Sequence, residues 1–275
     1  MIRMNAAKIA EIVGGQLNVA GATEITLAPV FDSRKATAGS FFLALMGENA
    51  DGHDFIDDAL KNGASFALVS KDVAQPNIKV ADVYEALGKL AAYVRLQLPN
   101  LKVIGITGSQ GKTTTKDLLH HILESIGPTI SPENSFNNEL GAPLNLLRCD
   151  ESTKFCIAEL GARHIGDIAN LASIVKPDVG VVLKVGNAHM AEFGSVENIA
   201  RYSSGLSISS DIHWTAAPDR SISVASKLIT ASENLIVTAN TSEDERMLSL
   251  MLGPSLEELS RVSCVGVDHL DEDSS

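Results

Sequence analysis

Basic residues are in deficit in this chain: 22 Lys and Arg stand against 34 Asp and Glu, giving a formal charge of −12 over 275 residues. That balance excludes a nucleic-acid partner held by charge alone, because phosphate backbones are bound through Lys and Arg. It leaves room for a local basic site that takes a phosphorylated ligand. Cysteine is also sparse. Cys149, Cys156 and Cys264 share no metal-site spacing, and three are too few for a disulfide framework, so each is expected as a buried thiol. No apolar run reaches the roughly 20 residues that cross a bilayer, so membrane insertion is not expected. The first residues show neither a secretory signal core nor an Arg-rich transit pattern, which makes the cytoplasm the expected compartment. The single tryptophan, Trp214, sits in a poorly patterned segment and is assigned no role.

With 45% apolar and 20% charged residues the chain reads as globular, and its length suits two domains. Residues 1–98 read as a small α/β unit. Ala6 to Val13 has helical spacing and stops at Gly14-Gly15. Phe41 to Leu45 and Phe66 to Val69 are strand-like, Asp54 to Asn62 is helical, and a helix from Val83 must end at Pro99. From Lys102 strands and helices alternate. Strands are expected at 102–107, 154–160, 178–183 and 235–238, with a helix at 113–126 that buries Leu118, Leu119, Ile122, Leu123 and Ile126. Alternation of this kind predicts an α/β fold with a mostly parallel sheet covered by helices on both faces. Whether 99–275 completes that sheet is left open. Residues 201–275 lose periodicity and end in an acidic, polar stretch from Asp268.

The most informative stretch runs from Val103 to Lys116 (VIGITGSQGKTTTK). An apolar strand leads into Gly108-Ser109-Gln110-Gly111, then Lys112, Thr113 and Thr114 open a helix. Glycines let the backbone turn its N–H groups toward anionic oxygens, and the helix adds the positive end of its dipole. Lys112 is placed to reach β- and γ-phosphates and the Thr113 hydroxyl to hold Mg²⁺. The strict P-loop spacing asks for Gly where Ile106 stands. The strand–loop–helix context still supports a phosphate loop over an ordinary turn. Glu159, His189 and the loop all follow strand-like segments, and carboxyl ends of parallel strands are where nucleotides bind.

Four further segments resemble the Mur ligases. They are Asp32-Ser33-Arg34-Lys35, continued by Gly39 to Gly47 and by Asp51-Gly52-His53-Asp54-Phe55; Asn134 to Leu144, with Asn137-Asn138 before Gly141-Ala142-Pro143; Ala158 to Ile168; and Asn187 to Ser195. With the phosphate loop they are dense from about 30 to 200 and come in the family's order. The paired asparagines followed by Gly-x-Pro place the chain nearest the branch that adds D-Ala-D-Ala to UDP-MurNAc-tripeptide. The resemblance implies ATP-driven amide bond formation in peptidoglycan synthesis, through an acyl phosphate, with ATP and Mg²⁺ as cofactors and a monomeric enzyme. It implies an N-terminal UDP-sugar-binding domain followed by an ATP-binding domain.

Residue by residue, it assigns Lys112, Glu159 and His189 to catalysis, and Thr113, Glu159 and His189 to metal. An imidazole suits a second, softer metal position or a water-mediated contact, since Mg²⁺ prefers oxygen. Gly108 through Thr114 would hold nucleotide. Ser33, Arg34 and His53 would hold the diphosphate and uracil of the UDP-sugar, although Arg34 also fits a surface charge. Asn137 and Asn138 would bind substrate amides or phosphate, although Asn pairs also make turns. His120 and His121 are expected on the surface.

Two departures are visible. The family carries a lysine, carbamoylated to help hold the second metal, shortly after the Phe-Gly-Ser segment. Counting without gaps from Phe193-Gly194-Ser195, that place is Ser203, and no Lys lies between Lys184 and Lys227. The family's third, C-terminal domain is expected to be absent from these 275 residues. Both departures keep open a second reading, a non-catalytic binder of nucleotide and UDP-sugar. A small-molecule kinase is a third, against which the 32–55 segment speaks.

Overall fold

The computed structural model describes residues 1–47, 50–108, 111–132, 139–161, 166–182 and 236–237. Along the chain the elements are β1 (Met4–Asn5), α1 (Ala6–Val13), β2 (Gln16–Asn18), β3 (Glu24–Ile25), β4 (Phe42–Leu43), α2 (Ile56–Lys61), β5 (Ala67–Val69), β6 (Asn77–Lys79) and α3 (Val83–Gln97). They continue with β7 (Lys102–Thr107), α4 (Lys112–Glu124), β8 (Thr129–Ile130), α5 (Gly141–Leu147), β9 (Phe155–Glu159), α6 (Asp167–Val175), β10 (Val179–Val182) and β11 (Ile236–Val237). Short 3-10 turns occupy Ser33–Lys35 and Gly52–Phe55.

Local sequence sets several of these boundaries. The Asn5 side chain accepts the Lys8 N–H at 2.8 Å and starts α1, and Gly14 ends it in the left-handed conformation. The Asp82 carboxylate caps α3 through the Glu85 N–H at 2.9 Å, and α3 stops two residues before Pro99. The N-terminal half forms a four-stranded sheet in the order β2-β6-β5-β4, with β2 antiparallel and the rest parallel.

The second sheet has the order β11-β10-β7-β9-β8, and every pairing in it is parallel. From β7 the chain steps outward to β8, then returns through β9 and crosses to β10 on the other side. Parallel crossovers are right-handed, so reversing direction sends helices to opposite faces. Packing agrees. On one face Leu119 and Leu123 of α4 cover Ile104, Ile106, Ile157 and Val181. On the other, Val103, Cys156 and Ala158 join the large core that contains α3, α5 and α6. The parallel sheet with helices on both faces is thus the fold that the alternation predicts.

That large core does not stop at Pro99. Leu87, Leu90, Ala91 and Val94 of α3 lie in one apolar cluster with Leu146 and Leu147 of α5 and Leu171 and Val175 of α6. Arg95 adds a polar latch: its guanidinium reaches Asp178 at 2.9 Å, and the same carboxylate oxygen accepts the Val103 N–H at 2.7 Å.

Two expectations for α4 need correction. Leu118 is 59% exposed and Ile126 37% exposed, where burial is expected from the sequence. The face that meets the sheet is the Leu119/Leu123 pair, one helical turn apart; Leu118 points about 100° away from it. Ile126 lies beyond Glu124, where the helix ends. Cys149 and Cys156 are buried free thiols, as expected, and Cys264 lies outside the described residues.

Candidate functional site

The phosphate loop leaves the carboxyl end of β7, the central strand. Gly108 has φ 138° and Gly111 has φ 86°, conformations that favour a residue without Cβ. Gly111 is also the N-cap of α4, so the helix begins at Lys112, and Thr113 and Thr114 occupy its first, exposed turn. Ile106, the departure from strict spacing, is a buried strand residue that needs no unusual backbone. The Lys112 ammonium donates to the Gly108 carbonyl at 2.7 Å. Burial pushes its pKa down, and the charge of Glu159 opposes that shift.

Glu159 is the last residue of β9 and pairs in register with Ile106 of β7. Strand alternation puts it on the same face as Ile157, toward α4. The residue is 0% exposed, and among the described residues neither carboxylate oxygen has a hydrogen-bond partner. Burial pushes its pKa up; the charges of Lys116 and Lys112 hold it down, and Asp117 adds to the rise. An ionised carboxylate so placed is costly unless a cation completes it. With the Thr113 hydroxyl at the start of α4 and Lys112 nearby, the donor set fits a hard divalent cation bound together with phosphate.

The edge of β9 is completed by a side chain. β8 reaches only as far as Cys156 in the pairing. One residue on, the Ile157 carbonyl accepts the Asn145 side-chain amide of α5 at 2.5 Å. Asn145 is buried and so helps fix the strand that carries Glu159.

A cavity of about 280 Å³ opens between the 28–35 segment and helix α5, with Pro132 and Arg148 beside that helix. Asp32 and Lys35 line one wall; Pro132, Asn145 and Arg148 line the other. Ser33 and Arg34 sit beside it in the 3-10 turn that the Asp32 carboxylate caps. Arg34 forms a two-pronged pair with Asp32, at 2.9 Å and 2.8 Å, and its side chain is otherwise exposed. That pair holds the Asp32 carboxyl down at about 2.

His53 stands apart from this wall in its bonding. Its Nε2 accepts the Ser70 N–H at 3.1 Å, so Nδ1 carries the proton and donates to Asp51 at 2.6 Å. Lys71 pairs with the other Asp51 oxygen. Both ring nitrogens are therefore engaged within the N-terminal half, which leaves neither for a diphosphate. The clip ties Asp51, which bridges to Met46, to the residues that follow β5.

Ser109, Gln110, Asn137, Asn138 and His189 lie outside the described residues, as does Ser203. Among the sequence-predicted site residues that are described, the fold brings Gly108, Gly111, Lys112, Thr113, Thr114 and Glu159 to one end of the second sheet. Arg148 and Asn145 have no signal in the sequence as cavity residues, because they meet the 28–35 segment across more than a hundred residues.

Residues 30–95 match the description "Mur ligase family, catalytic domain", and residues 106–242 match "Mur ligase middle domain". The chain belongs to the Mur ligase family. It is similar to the UDP-N-acetylmuramoyl-tripeptide–D-alanyl-D-alanine ligase of Mycobacterium tuberculosis, 40% identical over 293 residues that cover 95% of this chain and 56% of that one. The Escherichia coli protein of the same name is 39% identical over 204 residues, covering 73% and 44%. Among solved structures, MurF from Acinetobacter baumannii superposes with TM-score 0.69 at 38% identity, over 74% of this chain and 46% of that one. The MurF ligase of Thermotoga maritima, solved in complex with ADP, gives 0.60 at 31%, over 81% and 48%. The chain spans about half the length of the curated relatives it matches.

Proposed function

We propose that the chain carries the nucleotide and UDP-sugar sites of an ATP-dependent ligase that joins D-Ala-D-Ala to UDP-MurNAc-tripeptide in the cytoplasm, acting as a monomer. The observation that carries this reading is Glu159: a fully buried carboxylate at the carboxyl end of a parallel sheet, without a hydrogen-bond partner among the described residues and within the electrostatic reach of the phosphate-loop lysine. The relatives' names and the ADP in one of them support it.

In this reading residues 1–98 form the UDP-sugar half and residues 99–275 the ATP half. Ser33, Arg34 and the cavity bounded by Lys35 and Arg148 take the UDP-sugar, and Asn137 and Asn138 bind substrate amides or phosphate. Glu159 and Thr113 hold Mg²⁺, with His189 at a second metal position, and the 108–114 loop binds the phosphates. Bound Mg-ATP supplies the phosphoryl group that turns a carboxylate into an acyl phosphate. Lys112 then neutralises charge that develops on the phosphates, and the two halves hold reactants in line, an advantage that reaches about 7–11 kcal/mol.

The residue at the carbamoyl-lysine place, Ser203, favours a second reading, a binder of both ligands without turnover. Phosphate release from ATP, dependent on both UDP-MurNAc-tripeptide and D-Ala-D-Ala, tests the first reading. Binding of both nucleotides without release supports the second, and absence of nucleotide binding overturns both.

A further inference from the structure

Lys116 is a second buried cation whose charge is felt at Glu159, and its hydrogen bonds lead away from the phosphate loop. It lies on α4 one turn beyond Lys112, and its residue is only 5% exposed. Its ammonium donates to the Pro132 carbonyl at 3.0 Å and pairs with Asp117 at 2.9 Å. The neighbouring carbonyl, that of Ser131, accepts the Arg148 Nη1 at 3.0 Å. Ser131 and Pro132 directly follow β8. They are thus gripped from two sides, by a cation on the helix of one sheet face and by Arg148, the C-cap of α5, from the other. Pro132 and Arg148 are also part of the cavity wall opposite Asp32 and Lys35.

This geometry has a consequence for the reaction. A buried lysine is retained only against its desolvation cost, and two long side chains lose rotamer freedom to hold one dipeptide. The dipeptide they hold is where the helix that begins at the phosphate loop touches the cavity. We infer that the Lys116–Pro132–Arg148 clamp is a positioning device that couples nucleotide at the phosphate loop to the affinity of the UDP cavity. The inference rests on the proposed assignment of those two ligands to those two places. Ligand on the first turn of α4 fixes the helix, Lys116 carries that order to Pro132, and the cavity wall is set for its own ligand. Coupling between sites is reciprocal, so UDP tightens nucleotide by the same factor.

Titration calorimetry on the full chain tests this with UDP and the non-hydrolysable Mg-AMPPNP as probes. In the parent, saturating Mg-AMPPNP is expected to tighten UDP by about fivefold or more, the lower end of usual coupling. In Lys116→Met that factor, taken as the ratio of UDP affinities with and without saturating Mg-AMPPNP, falls below about twofold. Lys116→Arg, which keeps a donor toward Pro132, restores most of the coupling. A role limited to packing would lower stability in Lys116→Met without touching the coupling factor. If that variant does not fold, Arg148→Met removes the grip from the other side and is expected to lose coupling as well. A parent that binds both probes independently overturns the inference alone, as does coupling that survives in the variants. A parent that binds neither probe overturns the functional reading, and the inference with it.

Discussion

The Lys112 ammonium lies 2.7 Å from the carbonyl oxygen of Gly108, so the lysine that serves the phosphate loop is held by the loop itself. One proton is committed to that carbonyl; an ammonium has two more to offer. The charge is fixed where strand β7 gives way to helix α4, and the charge of Glu159 acts on it against the effect of burial. Loop, lysine and carboxylate thus form one unit whose charges are incomplete without a phosphate and a cation.

Glu159→Gln should separate the two roles of that carboxylate. Removing a buried charge that lacks hydrogen bonds is expected to stabilise the metal-free chain by about 1 kcal/mol near neutral pH. The sign follows from linkage. Burial raises the folded pKa above the ordinary 4.5, so the folded chain keeps its proton longer than the unfolded chain. Stability of the parent therefore falls as pH rises from 4.5 through the raised value, and the variant lacks this slope. Urea denaturation at a series of pH values without metal measures it. A variant less stable than the parent near neutrality would show that a cation is not what Glu159 is built for.

Asp178→Ala should loosen the seam between α3 and the second sheet. It leaves the Arg95 guanidinium and the Val103 N–H without their shared acceptor in a largely buried place. A loss of about 2–3 kcal/mol is expected. A double-mutant cycle with Arg95→Ala should return a coupling of about 1–2 kcal/mol; additive losses would mean that the two side chains do not act as a latch.

The N-terminal half should lose stability in acid through Asp32 and Asp51. Arg34 holds Asp32 at about 2, and Lys71, with His53, holds Asp51 well below the usual carboxylate range. Depressed folded values mean that the contribution is present above the ordinary 3.8 and is lost as pH falls toward 2. Asp32→Asn with Asp51→Asn should flatten the fall of the urea midpoint between about pH 4 and 2. An unchanged fall would place the acid sensitivity elsewhere.

How much of this was legible in the sequence depends on distance along the chain. The phosphate loop is a local motif, and α1, from Ala6 to Val13, is local too: an Asn cap, an apolar spacing and a glycine stop mark its bounds. Glu159 could be placed at a strand end, but its burial on the α4 side depends on register with β7. Helix α5 is not legible in the sequence, because seven residues from Gly141 with Pro143 in the first turn give little periodicity. The apolar face of α3 looks like part of its own small unit. Nothing in its spacing says that Leu146 and Leu171 complete it. The surface placement of Leu118 shows the converse: helical spacing alone cannot tell which of two adjacent leucines meets the sheet.

Mg-ATP binding by the parent and by Lys112→Ala is the most direct test of the phosphate site. The parent should bind Mg-ATP, and the variant should lose about 100-fold in affinity, as removal of a charge-assisted contact of about 3 kcal/mol implies. Equal affinity in the two chains would contradict the assignment of this loop, and with it the function proposed for the protein.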